Sequence, residues 1–260
     1  MNFNFADLYE AHLVAPLFQP FAAATLDALA PAPGEHLLDL ACGTGIVARL
    51  AHERDRSGRI VGVDISPDMI AVARRSAPAI EWRVGDAMQL SLEDGEAFDI
   101  VVCQQGLQFV PDRSAAAREL VRALGPRGRV AVSTWRPLEE SPFFREVHPI
   151  AERHLGQVVD RRHGFADATA LEALLREAGL RDTRVTTLTR TIRFEDGAAI
   201  IRMNAMALVG MSEAGKGMSD EERGRVAGAI AAESAAAAAA WVDGASISFE
   251  LGTNLAIGRR

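Results

Sequence analysis

The stretch "EHLLDLACGTGIVARL", residues 35–50, runs an apolar segment into a carboxylate, Asp39, then into a loop with two closely spaced glycines, then into an amphipathic segment. Gly43, Gly45 and Ala48 satisfy the spacing G-x-G-x-x-G/A, in which glycines permit a tight turn between strand and helix and let a ligand approach the backbone. The acidic residue at the foot of that loop is what the rest of the chain has to explain.

Outward from the loop, short apolar runs alternate with helical stretches. Strands are read at 36–40, 59–64, 80–84, 98–103 and 128–134, and helices at 45–54, 66–77 and 113–124. Ser66 as N-cap and Pro67 at the first helical position open the second of these helices. The alternation implies right-handed crossovers and a parallel, doubly wound α/β sheet.

Residues 6–29, with Tyr9, Leu13, Phe18, Phe21 and Leu26, are amphipathic and end at "APAPG"; they are expected to form a helical cover over the sheet's edge or the site. After the fifth strand the alternation breaks. Residues 137–157 read as an amphipathic helical insertion on the side where strand C-termini open, a usual place for a pocket to be shaped. A helix at 167–180, an alternating run at 184–194 typical of an antiparallel strand, an Ala-rich helical stretch at 197–240 and a last strand at 245–260 follow. No linker separates two independent parts, so one domain over 1–260 is expected, with the cover at 1–30, a ligand-binding core at 31–136 and helical substrate-side segments at 137–165 and 197–240.

The 260 residues are 48% apolar, enough for a sizeable core. A formal charge of -7 leaves no diffuse basic surface for a phosphate backbone, and nucleic acid is excluded as a partner on that ground. Lys216 is the sole lysine; arginine carries the other positive charge. Cys42 and Cys103 are too few for a disulfide framework, form no CxxC, and read as small packing residues, so no metal is expected. The first residues carry no basic segment ahead of an apolar core, and no apolar run is long enough to span a bilayer. A cytoplasmic protein without a membrane span is the expectation. The quaternary state is not specified by the sequence.

Two further carboxylates narrow the ligand. Asp64 closes the second strand, where it can take two ribose hydroxyls, and Asp86 in "VGDAMQL" follows the third strand, where an adenine edge would lie. Three acidic positions at successive strand ends place one nucleoside across the sheet, which leaves a dinucleotide and S-adenosylmethionine open. Asp39 separates them: it repels a pyrophosphate and suits a ligand carrying an ammonium and a sulfonium. At an effective dielectric near 20, charges about 4 Å apart interact by roughly 4 kcal/mol, enough to choose between an anionic and a cationic ligand.

With these residues in view, the chain resembles the class I S-adenosylmethionine-dependent methyltransferases, of the small-molecule type similar to the ubiquinone and menaquinone C-methyltransferases. "LLDLACGTG" matches the first motif, "VGVDISPDMIAVAR" the acidic second strand and its helix, "VGDAMQL" the third, "FDIVVCQQGLQFVPD" the fourth and "LVRALGPRGRVAVSTW" the helix, turn and strand after it. The match covers about residues 8–136; beyond 140 only the layout agrees. It implies a Rossmann-like, mainly parallel seven-stranded sheet with an antiparallel strand near its C-terminal edge.

The resemblance also implies roles. Gly43 and Gly45, with Ala41 and Thr44 in the same loop, would approach the methionine moiety, and Asp39 would face its cationic side. Asp64 would hold the ribose, Ile65 and Met69 would sandwich the adenine, and Asp86, Ala87 and Met88 would meet its amino edge. Cys103 and Gln104 would line the methionyl tail with Gln108 nearby, and Tyr9 would close over the cofactor. Against these stand plainer readings: Ile65, Met69 and Met88 as packing, Asp39 as a partner of loop amides, and Gln104, Gln105 and Gln108 as a polar loop.

Transfer from a sulfonium is an in-line displacement with an activated donor, so alignment and exclusion of water are the protein's main share. A catalytic residue need not exist; His148, His154 and His163 are the candidates for a base. Phe143, Phe144, Trp135, Met203 and Met206 could wall an acceptor pocket or be core, with core favoured. The partner expected is a small organic methyl acceptor, with S-adenosyl-L-homocysteine as coproduct and O-, N- and C-transfer unresolved. "QQGL" stands where the Asn/Asp-Pro-Pro-aromatic motif for exocyclic amino groups of bases would lie. The rivals are a nicotinamide-dependent oxidoreductase, disfavoured by Asp39 and the lack of a Tyr-x-x-x-Lys pair, and a protein that binds the cofactor without transferring its methyl.

Overall fold

The computed structural model describes residues 5–260, so the first four residues of the expected cover lie outside the described residues. The chain begins with α1 (Phe5–Tyr9), a π-helical segment (Glu10–Phe18) and α2 (Gln19–Leu29). There follow β1 (Leu37–Leu40), α3 (Ile46–Arg54), β2 (Ile60–Asp64), α4 (Pro67–Ser76), β3 (Glu81–Val84), β4 (Phe98–Gln104), α5 (Arg113–Ala123) and β5 (Leu124–Trp135). It continues as α6 (Pro142–Leu155), α7 (Ala168–Glu177), β6 (Arg181–Phe194), α8 (Gly197–Met211), α9 (Glu213–Lys216), α10 (Asp220–Ala237), β7 (Val242–Asp243) and β8 (Ser246–Arg259).

Two compact units emerge: the residues up to 135 with 165–188 and 253–260, and residues 136–164 with 189–252. The strand order is β3-β2-β1-β4-β5-β8-β6, with the two-residue β7 paired to β8. Neighbours from β3 to β5 are parallel, and β8 runs antiparallel to β5, so the mainly parallel sheet with an antiparallel strand near one edge is what the sequence implied.

In the first unit β1 is central: Asp39 pairs with Gly62 of β2 on one side and Val102 of β4 on the other. All four of its residues are buried, as expected for a parallel strand covered on both faces. The side chains alternate between two cores. Leu38 and Leu40 join Val61, Val101 and Leu120, whereas Leu37 joins Val47, Ala48, Ile100 and the α2 residues Leu26 and Leu29. Chain order reverses direction across β1, which makes the crevice outside the carboxyl ends of β1 and β4 the ligand position for a doubly wound sheet.

The N-terminal cover is helical, but not uniformly α-helical. Pro16 sits inside the π-helical segment, where a proline lacks the amide that an α-helical ladder would use. At its other end the cover is tied to the sheet by Arg129 of β5, which forms a paired contact with Glu35 at 2.7 Å and donates to the carbonyl of Leu29 at 3.0 Å. The guanidinium holds the Glu35 carboxyl below the usual carboxylate range. Arg129→Met is therefore expected to lower stability by about 2 kcal/mol, since it strands a half-buried carboxylate. Because Glu35 has a lowered pKa, its share of stability is present above the unfolded-state value and lost as pH falls. Urea titrations at pH 7 and pH 3.5 should show the difference between wild type and variant shrinking at the lower pH.

The second unit carries α6, α8, α9 and α10 with β7 and the part of β8 up to Gly252. Its aromatic core stacks Phe143 on Phe249 at 4.6 Å and sets Phe144 and Trp241 edge-on around them. Phe143 and Phe144 are thus core residues, as favoured above, and Trp135 is buried in the first unit against Phe21. Met206, by contrast, is exposed.

Candidate functional site

The loop after β1 takes its shape from three residues in left-handed backbone: Ala41 (φ 56°), Gly43 (φ 56°) and Gly45 (φ 87°). Gly45 is required twice over, because a Cβ there would sit 2.1 Å from the indole of Trp82. The same ring lies across Gly62 of β2, where a Cβ would come within 2.2 Å, and its Nε1 donates to the carbonyl of Ala77 at 2.9 Å. Trp82 of β3 is thereby the floor on which the loop turns into α3. Sequence reading missed it; the one signal was a glycine inside the strand "IVGVD", which marks a close approach.

Two carboxylates flank the loop. Asp39 is almost wholly buried, and its Oδ2 accepts from the Ala48 N–H at 3.0 Å, at the third position of α3. Asp39 thus caps one amide of α3, where it stabilises the positive end of that helix, whereas the loop amide of Gly43 is held by Asp64 and not by Asp39. Burial, with Asp64 nearby adding to it, pushes the Asp39 carboxyl up to about 7. Asp64 at the end of β2 accepts from the Gly43 N–H at 2.8 Å through one oxygen and from the Ser66 N–H at 2.9 Å through the other. Its pKa is also raised, by burial first. Burial disfavours the charge of both carboxyls beside the glycine loop, and a cation placed there would favour their ionised forms.

The remaining sequence-derived residues of this set lie in the same unit. Ile65 is 67% exposed, so packing does not account for it. Met69, Ala87 and Met88 are half-buried, and Ala87 and Met88 pack on the core below β4. Asp86 accepts from the Met88 N–H at 2.8 Å, holding the turn after β3. Tyr9 packs against Phe18 with tilted rings whose centroids are 5.1 Å apart, and its hydroxyl lies 3.7 Å from where a Gly43 Cβ would be; burial raises its pKa and keeps the phenol neutral. The Cys42 thiol is raised by burial and Cys103 is pushed up to about 12 by the same cause, so both are inert, packed thiols.

In the loop after β1 and at and beyond the end of β4, several side-chain polar atoms are buried without partners. Thr44 Oγ1, Gln104 Oε1, Gln105 Oε1 and both amide atoms of Gln108 have no hydrogen-bond partner among the described residues, while Gln104 Nε2 donates to the Phe18 carbonyl at 3.2 Å. Buried polar atoms are ordinarily satisfied, and such a concentration is a recognised sign of a ligand site.

The three candidate histidines belong to the second unit. His154 meets Glu233 at 2.6 Å on the surface, and His148 lies 3.6 Å from Glu152. His163 differs. Its Nδ1 contacts the Arg136 carbonyl at 2.7 Å, which can only accept, so the proton is on Nδ1 and Nε2 keeps a lone pair. Burial lowers its pKa, and the ring is neutral at pH 7. Among the described residues no group of three or more His, Cys, Asp or Glu could hold a metal ion, and no helix is long and apolar enough to cross a membrane.

Comparison with known proteins adds a family to this geometry. A family model described as "Methyltransferase domain" matches residues 38–132. A demethylmenaquinone methyltransferase of Beutenbergia cavernae is 34% identical over 183 residues, covering 64% of this chain and 74% of that protein. The protein of the same name from Thermus thermophilus is 35% identical over 173 residues, covering 58% and 76%. A 37.1 kDa protein of a Streptomyces fradiae transposon is 35% identical over 179 residues, and there the chain spans about half of the relative's length, 51%. Among solved structures, Haemonchus contortus phosphoethanolamine N-methyltransferase 2 in complex with S-adenosyl-L-methionine superposes with a TM-score of 0.61 at 18% identity, covering 98% of this chain and 56% of that one. The YcgJ protein of Bacillus subtilis gives 0.59 at 20% identity, covering 93% and 98%. At these identities the structures attest the fold.

Proposed function

The chain belongs to the class I S-adenosylmethionine-dependent methyltransferases of small-molecule type, and from that premise we propose that the loop 41–45, with Asp39, Asp64 and Asp86, holds S-adenosylmethionine for methyl transfer to a small organic acceptor. The observation that carries the proposal is the pair Asp39 and Asp64, both with raised pKa values beside Gly43. A pyrophosphate would meet the Asp39 carboxylate there, and an ammonium and a sulfonium would relieve it, while Asp64 is left to the ribose. Bound in this loop, the cofactor supplies an already activated methyl group.

The chain's own share is placement. Asp64 would take the ribose hydroxyls while its present contacts keep Gly43 and Ser66 in register, the exposed Ile65 and Met69 would bracket the adenine, and Asp86, Ala87 and Met88 would meet the adenine edge. Thr44, Gln104 and Gln108 would offer their free polar atoms to the methionyl tail, and the neutral Tyr9 phenol would close over it. Alignment and removal of water account for most of the acceleration in such a displacement, so no base is required. The acceptor would be small and organic, as the relatives' names suggest, and a cytoplasmic location goes with it.

Calorimetric titration with S-adenosylmethionine, S-adenosylhomocysteine and NADH tests the reading directly. Micromolar binding of the two sulfur ligands with no NADH heat is expected; tight NADH binding alone would return the site to an oxidoreductase.

A pH dependence follows from Asp39. Its folded-state pKa of about 7 stands well above the ordinary carboxylate range, so the apo protein gains stability from it at low pH and loses that gain as pH rises towards 7. A cationic ligand reverses the preference, because it favours the ionised carboxylate. Binding at pH 6 is therefore expected to release up to one proton, read as a dependence of the titration heat on the buffer's ionisation enthalpy. Affinity should rise between pH 5.5 and pH 7, by at most about tenfold per pH unit, and Asp39→Asn should flatten the slope.

A further inference from the structure

Gln105 directly follows β4 and is held at both ends. Its backbone is left-handed, with φ 52°, and its N–H donates to the Ser133 carbonyl at 2.9 Å. Its side chain is buried, and Nε2 donates to Thr253 Oγ1 of β8 at 3.0 Å. Thr253 is buried as well, and its hydroxyl donates to the Thr134 carbonyl at 2.7 Å. That carbonyl can only accept, so the threonine's single proton is committed to it and the oxygen accepts from Gln105. The amide is thereby oriented by its neighbours, nitrogen on Thr253 and Oε1 free.

Oε1 is buried with no hydrogen-bond partner among the described residues. A left-handed backbone on a non-glycine residue and a buried acceptor without a donor are separate costs at one position, and such costs gather where a ligand will be met. The residue's place in the sheet says which ligand. Asp39, Asp64 and Asp86 belong to β1, β2 and the turn after β3, on one side of β4; the Gln105 amide is tethered in the opposite direction, across β5 to β8. It therefore belongs to the half of the strand-end crevice away from the nucleoside side. Trp135, the last residue of β5, pairs with Thr253 in the ladder and packs on Phe18 with ring centroids 6.0 Å apart, so aromatic rings adjoin the strand that tethers the amide.

We propose that Gln105 Oε1 recognises the methyl acceptor by accepting a hydrogen bond from a neutral hydroxyl group on it, so that the enzyme selects hydroxylated aromatic or enolic acceptors over their ethers. The inference rests on the methyl-transfer reading and deepens it by naming an acceptor class. Thr253 acts as a positioning residue, because it fixes which end of the amide is presented.

The test uses the full chain saturated with S-adenosylhomocysteine and two stable probes, 1-naphthol and 1-methoxynaphthalene, titrated by calorimetry. The wild type is expected to bind the naphthol about tenfold more tightly, the worth of one buried hydrogen bond. Gln105→Met, equal in length and without polar atoms, should bring the two affinities together while leaving S-adenosylhomocysteine affinity unchanged. Thr253→Val, which frees the amide to turn, should leave an intermediate preference. Equal binding of the probes by wild type, binding of neither, or a preference that survives in Gln105→Met overturns the proposal. If Gln105→Met does not fold, the wild-type ratio and Thr253→Val decide it. Loss of S-adenosylhomocysteine binding by the wild type itself is a different result, and it removes the methyl-transfer reading.

Discussion

Asp64→Ala is expected to weaken binding of S-adenosylmethionine and S-adenosylhomocysteine by about a hundredfold or more. Two effects combine. The carboxylate would lose charge-assisted contacts to the ribose, each worth about 1.5–3 kcal/mol for a charged partner. It would also release the Gly43 and Ser66 amides that it now holds at 2.8 and 2.9 Å, so the loop and the start of α4 lose their common anchor. Asp64→Asn separates the two, since it keeps the size and one acceptor; a loss of about tenfold is expected for it. Calorimetry gives the affinities, and a urea titration of the apo forms gives the structural part. An Asp64→Ala protein that is folded and binds within threefold of wild type would show that the nucleoside does not lie at the end of β2.

The second large effect is structural. Gly45→Ala should destabilise the protein by about 2–5 kcal/mol, the sum of a left-handed backbone cost of about 1–2 and an overpacking cost of about 1–3. The new Cβ would lie 2.1 Å from the Trp82 ring. Trp82→Leu in the same chain should recover the packing part and leave the backbone part, so the two substitutions will be strongly non-additive in a double-mutant cycle. Gly43→Ala provides the contrast, because its nearest neighbour would be the Tyr9 hydroxyl at 3.7 Å and the backbone cost alone remains. If Gly45→Ala and Gly43→Ala prove equally mild in chemical denaturation, Trp82 does not floor the loop.

What the sequence disclosed and what it withheld divide along a physical line. Period and punctuation are local, and they placed β1, β2, α3, α4 and α5 within a residue or two, because each is an apolar run or stripe bounded by its own cap or glycine. The acidic positions were legible for the same reason: each ends or follows a strand. The extent of β5 was not, since it starts at Leu124, four residues before the apolar run, through a register shift opposite Phe98 and Ile100 that depends on its neighbour. Nor was Trp82's place beneath Gly45, or the bond from Gln105 to Thr253, which joins residues 148 apart in the chain. Contacts of that kind exist only once the sheet has assembled. The π-helical geometry of Glu10–Phe18 likewise leaves no trace in an apolar stripe, although Pro16 marks where regular α-helix is interrupted.

The position of β8 bears on how the molecule comes into being on the ribosome. It lies between β5 and β6 in the sheet, yet it is translated after both, and more than a hundred residues after β5 begins. Throughout that interval β5 presents an unpaired edge along the apolar run Val130–Ala131–Val132, a surface that invites pairing with a neighbouring nascent chain. Shortening the chain upstream of Ser246 would make that transient exposure permanent. Insoluble product, more than lost activity, is what such a truncation should yield.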